Sequence, residues 1–370
     1  MASHDKLFIP GPVEVSPKTW EAFTRPMIGH RSEAFRELYR SIHPRLQELF
    51  GTGQPVFLST SSAWGVMEAA IRNCVRRRVL NCMCGAFSDK WLDVSRRCGK
   101  EAEPLRVEWG QHINAQQLDG RLASGQFDAV TLIHNETSTG VVNPLEEICA
   151  VARKYPDVVL IVDSVSSFSA VPIAMDELGI DVLLTGSQKA LALPPGFALF
   201  SVSEKAFSRA AQIPNRGYYF DFLEFKKNQE SDMTPTTPSV AHINALRSKL
   251  NDIFTEGLEA RHARHARTNA LVHDWVGRNG LEFFAGKDFR SKTLTCVRNN
   301  RGIDVAKLVK ELRTKHHLVI DGGYGKIKGD TFRLSNMGDE TEETVAHLLS
   351  CLDECLSEFT RASVAPAQQR

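Results

Sequence analysis

Gly179-Ile-Asp-Val-Leu-Leu-Thr-Gly-Ser-Gln-Lys-Ala-Leu-Ala-Leu-Pro-Pro-Gly196 is the stretch whose reading decides the fold. Asp181 to Thr185 is a short, largely apolar run of the kind that fills a parallel strand covered on both faces. It opens through Gly186 and Ser187 onto Gln188 and Lys189, and Pro-Pro-Gly ends the segment. A lysine just past the carboxyl end of a buried strand stands where open α/β sheets bind ligands. Apolar neighbours there favour the neutral amine, which is the nucleophilic form.

The same rhythm extends on both sides. Residues 56–58, 79–83, 129–133, 158–162 and 197–200 read as strands, and residues 63–74, 88–98 and 145–154 carry helical spacing between them. Strands alternating with helices of about ten residues predict an α/β fold, a mostly parallel sheet between helices. Ahead of it lie a Pro- and Gly-rich arm, a short helix at 18–24 and an amphipathic helix at 32–50. Residues 213–238 lack periodicity and predict a functional surface loop. Residues 239–279 predict one long helical region, with Arg261-His-Ala-Arg-His-Ala-Arg267 as a solvated charged face rather than a metal site. From Leu281 a shorter αβ alternation resumes, with strands at 293–297, 319 and 331–334 and helices at 305–313 and 342–359. The expected division is an N-terminal arm (1–16), a large domain (17–258), a small C-terminal domain (259–361) and a tail (362–370).

Composition narrows the partners. The chain has 370 residues, 42% hydrophobic and 24% charged, as in ordinary soluble globular proteins, and a net charge of +1. That balance argues against nucleic acid or an anionic membrane surface and for small molecules. The 8 cysteines form no CxxC pair, and Cys82-x-Cys84 lies in an apolar run, so buried thiols in a reduced compartment are expected. No run reaches membrane-spanning length, and a cytoplasmic location is expected.

Three further strand ends carry polar chemistry. Asp163 follows the run 158–162, where a carboxylate is costly without a partner. Ser59-Thr-Ser-Ser-Ala63 opens a helix, whose first amides and dipole cradle an anion. Asn135-Glu-Thr-Ser-Thr-Gly140 follows the run 129–133. Together they ask for a ligand with an anionic group, a cationic ring nitrogen and an electrophilic carbon that a lysine can attack. Pyridoxal 5′-phosphate has all three.

On these residues, with Pro10-Gly-Pro12, Gly29-His-Arg31 and Arg333, nearly the whole chain resembles the class V aminotransferases of fold type I, most closely the serine/alanine–glyoxylate (pyruvate) branch. The resemblance implies that Lys189 bonds covalently to the cofactor and later carries a proton at the substrate Cα. It implies that Asp163 partners the pyridine nitrogen, that Val165 packs on one ring face, and that Phe87 stacks on the other. Ser61, Ser62 and Ala63 match the phosphate turn, where Ser62 replaces a customary glycine and a strained positive φ is expected. Gln188 matches a phosphate-side contact, Thr137 the hydroxyl near the pyridine oxygen, and Thr236 a phosphate ligand given by the second subunit of a homodimer. Arg333 matches the grip on the substrate α-carboxylate, and Gly11 is expected to approach the substrate with its backbone. Met233 stands where alanine–glyoxylate enzymes often carry Tyr.

Members of the class that remove sulfur usually carry His before the lysine, and some add a mobile cysteine loop. Gln188 occupies that position here, which favours transamination of serine or alanine with glyoxylate or pyruvate by a ping-pong mechanism. Two other readings stay open. One is phosphoserine transamination, with Lys326 and Lys328 near Arg333 supplying phosphate affinity. The other is a non-catalytic subunit of a larger complex. No GxGxxG follows a strand and no P-loop is present, so a dinucleotide-binding protein is not expected.

Overall fold

The five residues of the strand Val159–Asp163 are all buried, and they alternate between two cores. Leu160 and Val162 join one hydrophobic cluster, Val159 and Ile161 the other. Leu183 and Leu184 in the next strand divide in the same way. A period of two with apolar residues in both phases is what a sheet covered on both faces requires. Each fully buried aliphatic side chain there contributes about 1.5–3 kcal/mol.

The computed structural model describes residues 4–364. Val159–Asp163 is the middle of a seven-stranded sheet ordered Val56–Ser59, Ala198–Val202, Val182–Gly186, Val159–Asp163, Ala129–Ile133, Arg78–Met83 and Glu101–Arg106. Only Ala198–Val202 runs against its neighbours; the other pairings are parallel. The α/β fold with a mostly parallel sheet therefore stands as the sequence indicates.

Several local expectations need correction. Glu101–Arg106 is an edge strand, and its alternating charges and Pro104 suit an exposed edge while hiding any apolar run. The helix Ala115–Leu122 was not expected either. Within 213–238, Phe222–Gln229 is a helix capped by Asp221, whose side chain accepts from the Leu223 amide; Phe222 and Phe225 anchor it in the core. The long helical region is two helices, Val240–Glu256 and Leu258–Arg278, broken at Gly257 (φ 84°). The charged face is not uniformly solvated. Arg261 is 1% exposed, donating to the Ser169 and Ala190 carbonyls and pairing with Glu256, and His265 is fully buried.

A separate cluster joins Trp275, Leu308, Phe332 and Leu352 around the antiparallel sheet Glu282–Phe283, Leu294–Arg298 and Thr331–Ser335. The arm reaches it: Lys6–Leu7 pairs in parallel with Leu318–Val319, and Phe8 is buried in the cluster. We propose that the two sheet-face cores and this cluster mark the domains expected at 17–258 and 259–361. The last helix runs Glu342–Val364, so the expected tail begins inside it, and residues 365–370 lie outside the described residues. No helix among the described residues is long and apolar enough to cross a membrane. All eight cysteines are free, and only Cys98 is not buried.

Candidate active site

The loop after Val182–Gly186 folds back on itself and holds Lys189 inside. The Ser187 hydroxyl donates to the Pro194 carbonyl at 2.7 Å, and the Leu193 amide to the Ser187 carbonyl at 3.1 Å. The arm closes the other side. Its Val13 amide donates to the Gln188 carbonyl at 3.1 Å, and the Lys189 ammonium donates to the Pro10 carbonyl. Gly11 sits at φ 99°, and a Cβ there would lie 2.6 Å from the Lys189 Cδ. Only glycine allows this approach. Gly11 was expected to face the substrate; it also packs directly on Lys189.

Lys189 is 8% exposed. Burial, and next the Arg333 cation, bring its ammonium down to about 8, against the pull of Asp163, Glu136 and Asp321. A sizeable share is thus neutral near pH 7–8. Asp163 ends the neighbouring strand and is 3% exposed. Burial pushes its carboxyl up to about 7, although the Val165 amide donates to it at 2.8 Å. A cationic ring nitrogen is the partner such a carboxyl lacks.

Lys189 and Asp163 line a cavity of about 370 Å³ together with Gly11, Ser62, Ala63, Phe87, Thr137, Val165 and Gln188. Ser62 caps the helix Ala63–Cys74 in an extended conformation (φ −67°) without a side-chain cap bond. The strain expected at Ser62 is therefore absent. The Gly65 amide donates to the Ser62 carbonyl at 3.0 Å, and the two helix amides ahead of it remain for an anion. Gln188 Oε1 is buried and unpaired, an orphan that a ligand would satisfy once the amide turns its better end. These observations fit pyridoxal phosphate: an amine for its aldehyde, a carboxyl for its nitrogen and a helix terminus for its phosphate.

Three expected residues do not line this cavity. The Ser61 hydroxyl turns to the Ser59 hydroxyl and the Ser62 carbonyl. Thr236 lies with Thr60 and Tyr219 in a separate, small cleft. Arg333, 4% exposed, reaches the wall through others: Nη1 donates to the Thr137 carbonyl at 2.9 Å and Nε to Asp321 at 2.8 Å. Phe87 was expected to stack on the cofactor. One face of its ring meets Tyr324, at 5.0 Å between centroids and 19° between planes, and Phe87 also lines the cavity. Lys326 is exposed and lies over the Trp109 ring at 4.5 Å, and Lys328 is exposed too.

Residues missed by sequence reading complete the wall, notably Tyr324, Trp64 and Met67. Glu136 is another. Fully buried, it accepts from the Ser88 amide at 2.8 Å and from the Ser138 amide and hydroxyl, so it caps the helix Ala86–Arg97 that carries Phe87. Its place in Glu136-Thr-Ser-Thr-Gly140 was visible, but a capping carboxylate from a distant loop leaves no periodic signal. A larger groove of about 750 Å³ touches Leu271, Arg278 and Asp353, but its lining holds no lysine and no buried carboxylate.

A lysine and a carboxyl at the ends of adjacent parallel strands, facing a helix N-terminus, define a pyridoxal-phosphate enzyme of fold type I. The family model described as Aminotransferase class-V matches residues 20–328. An uncharacterized aminotransferase of Methanocaldococcus jannaschii is 37% identical over 358 residues, 95% of this chain and 93% of its own. The serine–glyoxylate aminotransferase of Arabidopsis thaliana is 33% identical, covering 94% of this chain and 88% of its own. The crystal structure of an alanine–glyoxylate aminotransferase from Nostoc sp. superposes with a TM-score of 0.91 at 28% identity, covering 96% of each chain. The chain belongs to the class-V aminotransferases. It is a pyridoxal-phosphate-dependent transaminase.

Proposed function

We propose that this enzyme moves the amino group of a small L-amino acid, serine or alanine, to glyoxylate or pyruvate in two half-reactions on one site. The observation that carries this reading is Lys189, buried between Gly11, the Pro10 carbonyl and the cavity, with its amine brought down to about 8. Two of the relatives named above, the serine–glyoxylate aminotransferase of Arabidopsis thaliana and the alanine–glyoxylate aminotransferase of Nostoc sp., support the substrate class.

When bound, pyridoxal phosphate supplies an electrophilic carbon and a ring that withdraws electrons. The residues then divide the work. The Lys189 amine would hold the cofactor and, once freed by the substrate amine, would carry the proton from the substrate Cα to the cofactor's aldehyde carbon, and back again in the second half-reaction. The Asp163 carboxylate holds a proton on the ring nitrogen, and the buried setting makes that ion pair strong. Ser62, Ala63 and Gln188 hold the phosphate, with Ser61 shaping the turn. Thr137 orients the pyridine oxygen, while Val165 and the free face of Phe87 sandwich the ring. Arg333 grips the α-carboxylate through the N–H groups left after Thr137 and Asp321 are served. Thr236 completes the phosphate site of the partner subunit in a homodimer, and the enzyme works in the cytoplasm.

Two half-reactions with purified holoenzyme test this. Serine or alanine alone should bleach the cofactor band near-stoichiometrically, and glyoxylate or pyruvate alone should restore it. No amino-acid-dependent change would refute the reading. Comparing serine with phosphoserine as amino donor separates this reading from phosphoserine transamination.

A further inference from the structure

Thr137 and Ser166 follow the ends of two neighbouring parallel strands, Ala129–Ile133 and Val159–Asp163, and both line the cavity. Their hydroxyls meet in a hydrogen bond, and both residues are buried, at 6% and 1% exposure. Among the described residues neither hydroxyl has another partner. A hydroxyl carries one proton, so the contact uses one of the two and leaves the other. The direction of that bond decides which oxygen has a proton to give to a ligand.

The backbone on either side of the contact is held from elsewhere. The Ser166 carbonyl accepts from the Thr293 hydroxyl at 2.7 Å and from Asn135 Nδ2 at 3.3 Å. Thr293 and Asn135 are themselves buried. The Thr137 carbonyl accepts from Arg333 Nη1 at 2.9 Å. These bonds keep the two side chains side by side at the cavity wall, in a dry setting where one hydrogen bond polarises the next.

We propose that Ser166 is a positioning residue: its hydroxyl donates to Thr137 and so aims the Thr137 proton at the pyridine oxygen of the cofactor. The proposal rests on the reading of Thr137 as the hydroxyl beside that oxygen. Donation in the order Ser166, Thr137, ligand favours the ionised pyridine oxygen over the protonated one. Without the serine hydroxyl, Thr137 keeps its proton but loses the donor behind it and its fixed direction.

The absorbance of the holoenzyme tests this without turnover. Pyridoxal phosphate bonded to a lysine absorbs in the visible when its pyridine oxygen is ionised and the adjoining nitrogen holds the proton. It absorbs in the near ultraviolet when the oxygen holds the proton. Ser166→Ala should lower the ratio of visible to near-ultraviolet absorbance at neutral pH by about threefold or more. Ser166→Cys, close in shape but a weak donor, should lower it too, so the test does not depend on one variant folding. Thr137→Val should also lower it, and in that background Ser166→Ala should change the ratio by less than about 1.5-fold. A ratio unchanged by both serine variants would overturn the proposal. So would an equal effect of Ser166→Ala with and without Thr137, since the serine would then not act through it. A ratio unchanged by Thr137→Val contradicts the reading of Thr137 itself, and the proposal falls with it.

Discussion

Gly11 shows how one residue can govern the chemistry of another. Its φ of 99° strains an alanine, and with a would-be Cβ 2.6 Å from Lys189 Cδ the lysine side chain would have to move. Gly11→Ala should slow covalent cofactor capture by about tenfold or more, read as the growth of the visible band after mixing apoprotein with pyridoxal phosphate. The amine sets a pH dependence for the same assay. Only the neutral form attacks, and the ammonium comes down to about 8, so the capture rate should rise with pH and level off above about 8. A rate still climbing through pH 10 would mean the amine titrates like an exposed lysine. Arg333→Lys should raise KM for the amino donor by about 10- to 100-fold, because a lysine cannot reproduce the planar fork. Lys189 and Asp163 were legible because each lies at or just past the end of a continuous apolar run, where a charged side chain is costly unless a ligand uses it. Asp321 and Tyr324 were not, since a Gly-rich turn reads as an ordinary loop until Arg333 is placed beside it.

Elements differ in how well the chain announces them. The buried strands stood out because both faces are apolar. Glu101–Arg106 and Phe222–Gln229 did not, one being a polar edge strand and the other an eight-residue helix set among irregular residues. The break at Gly257 was hidden because a single glycine interrupts a pattern that otherwise stays helical on both sides. The burial of Arg261 was hidden for another reason: its partners are the Ser169 and Ala190 carbonyls, distant in sequence. The helix Ala86–Arg97 depends on Glu136, whose carboxylate serves the Ser88 amide from another element. Glu136→Ala leaves buried donors without an acceptor and should cost about 2–3 kcal/mol in urea denaturation of the holoenzyme. If stability is unchanged, the carboxylate is not what holds that helix end.

At the scale of the whole molecule, the arm ties the two regions to one site. Lys6–Leu7 joins Leu318–Val319, Phe8 enters the C-terminal cluster, and the next residues reach Lys189. The sequence revealed an arm but not its destination, because a two-residue parallel pairing has no local signature. In its own subunit Thr236 lies outside the cavity, in a small cleft with Thr60 and Tyr219. A homodimer that shares its sites should sediment as a dimer at micromolar concentration, and Thr236→Ala should weaken cofactor retention in dialysis. A monomer that retains the cofactor fully would contradict this arrangement.

The central claim is a covalent one, and reduction of the holoenzyme with borohydride tests it most directly. Peptide mapping by mass spectrometry should then find a pyridoxyl group, retaining its phosphate, on the peptide containing Lys189 and on no other lysine. An adduct elsewhere, or none on a holoenzyme that had its yellow colour before reduction, would contradict the assignment of this lysine.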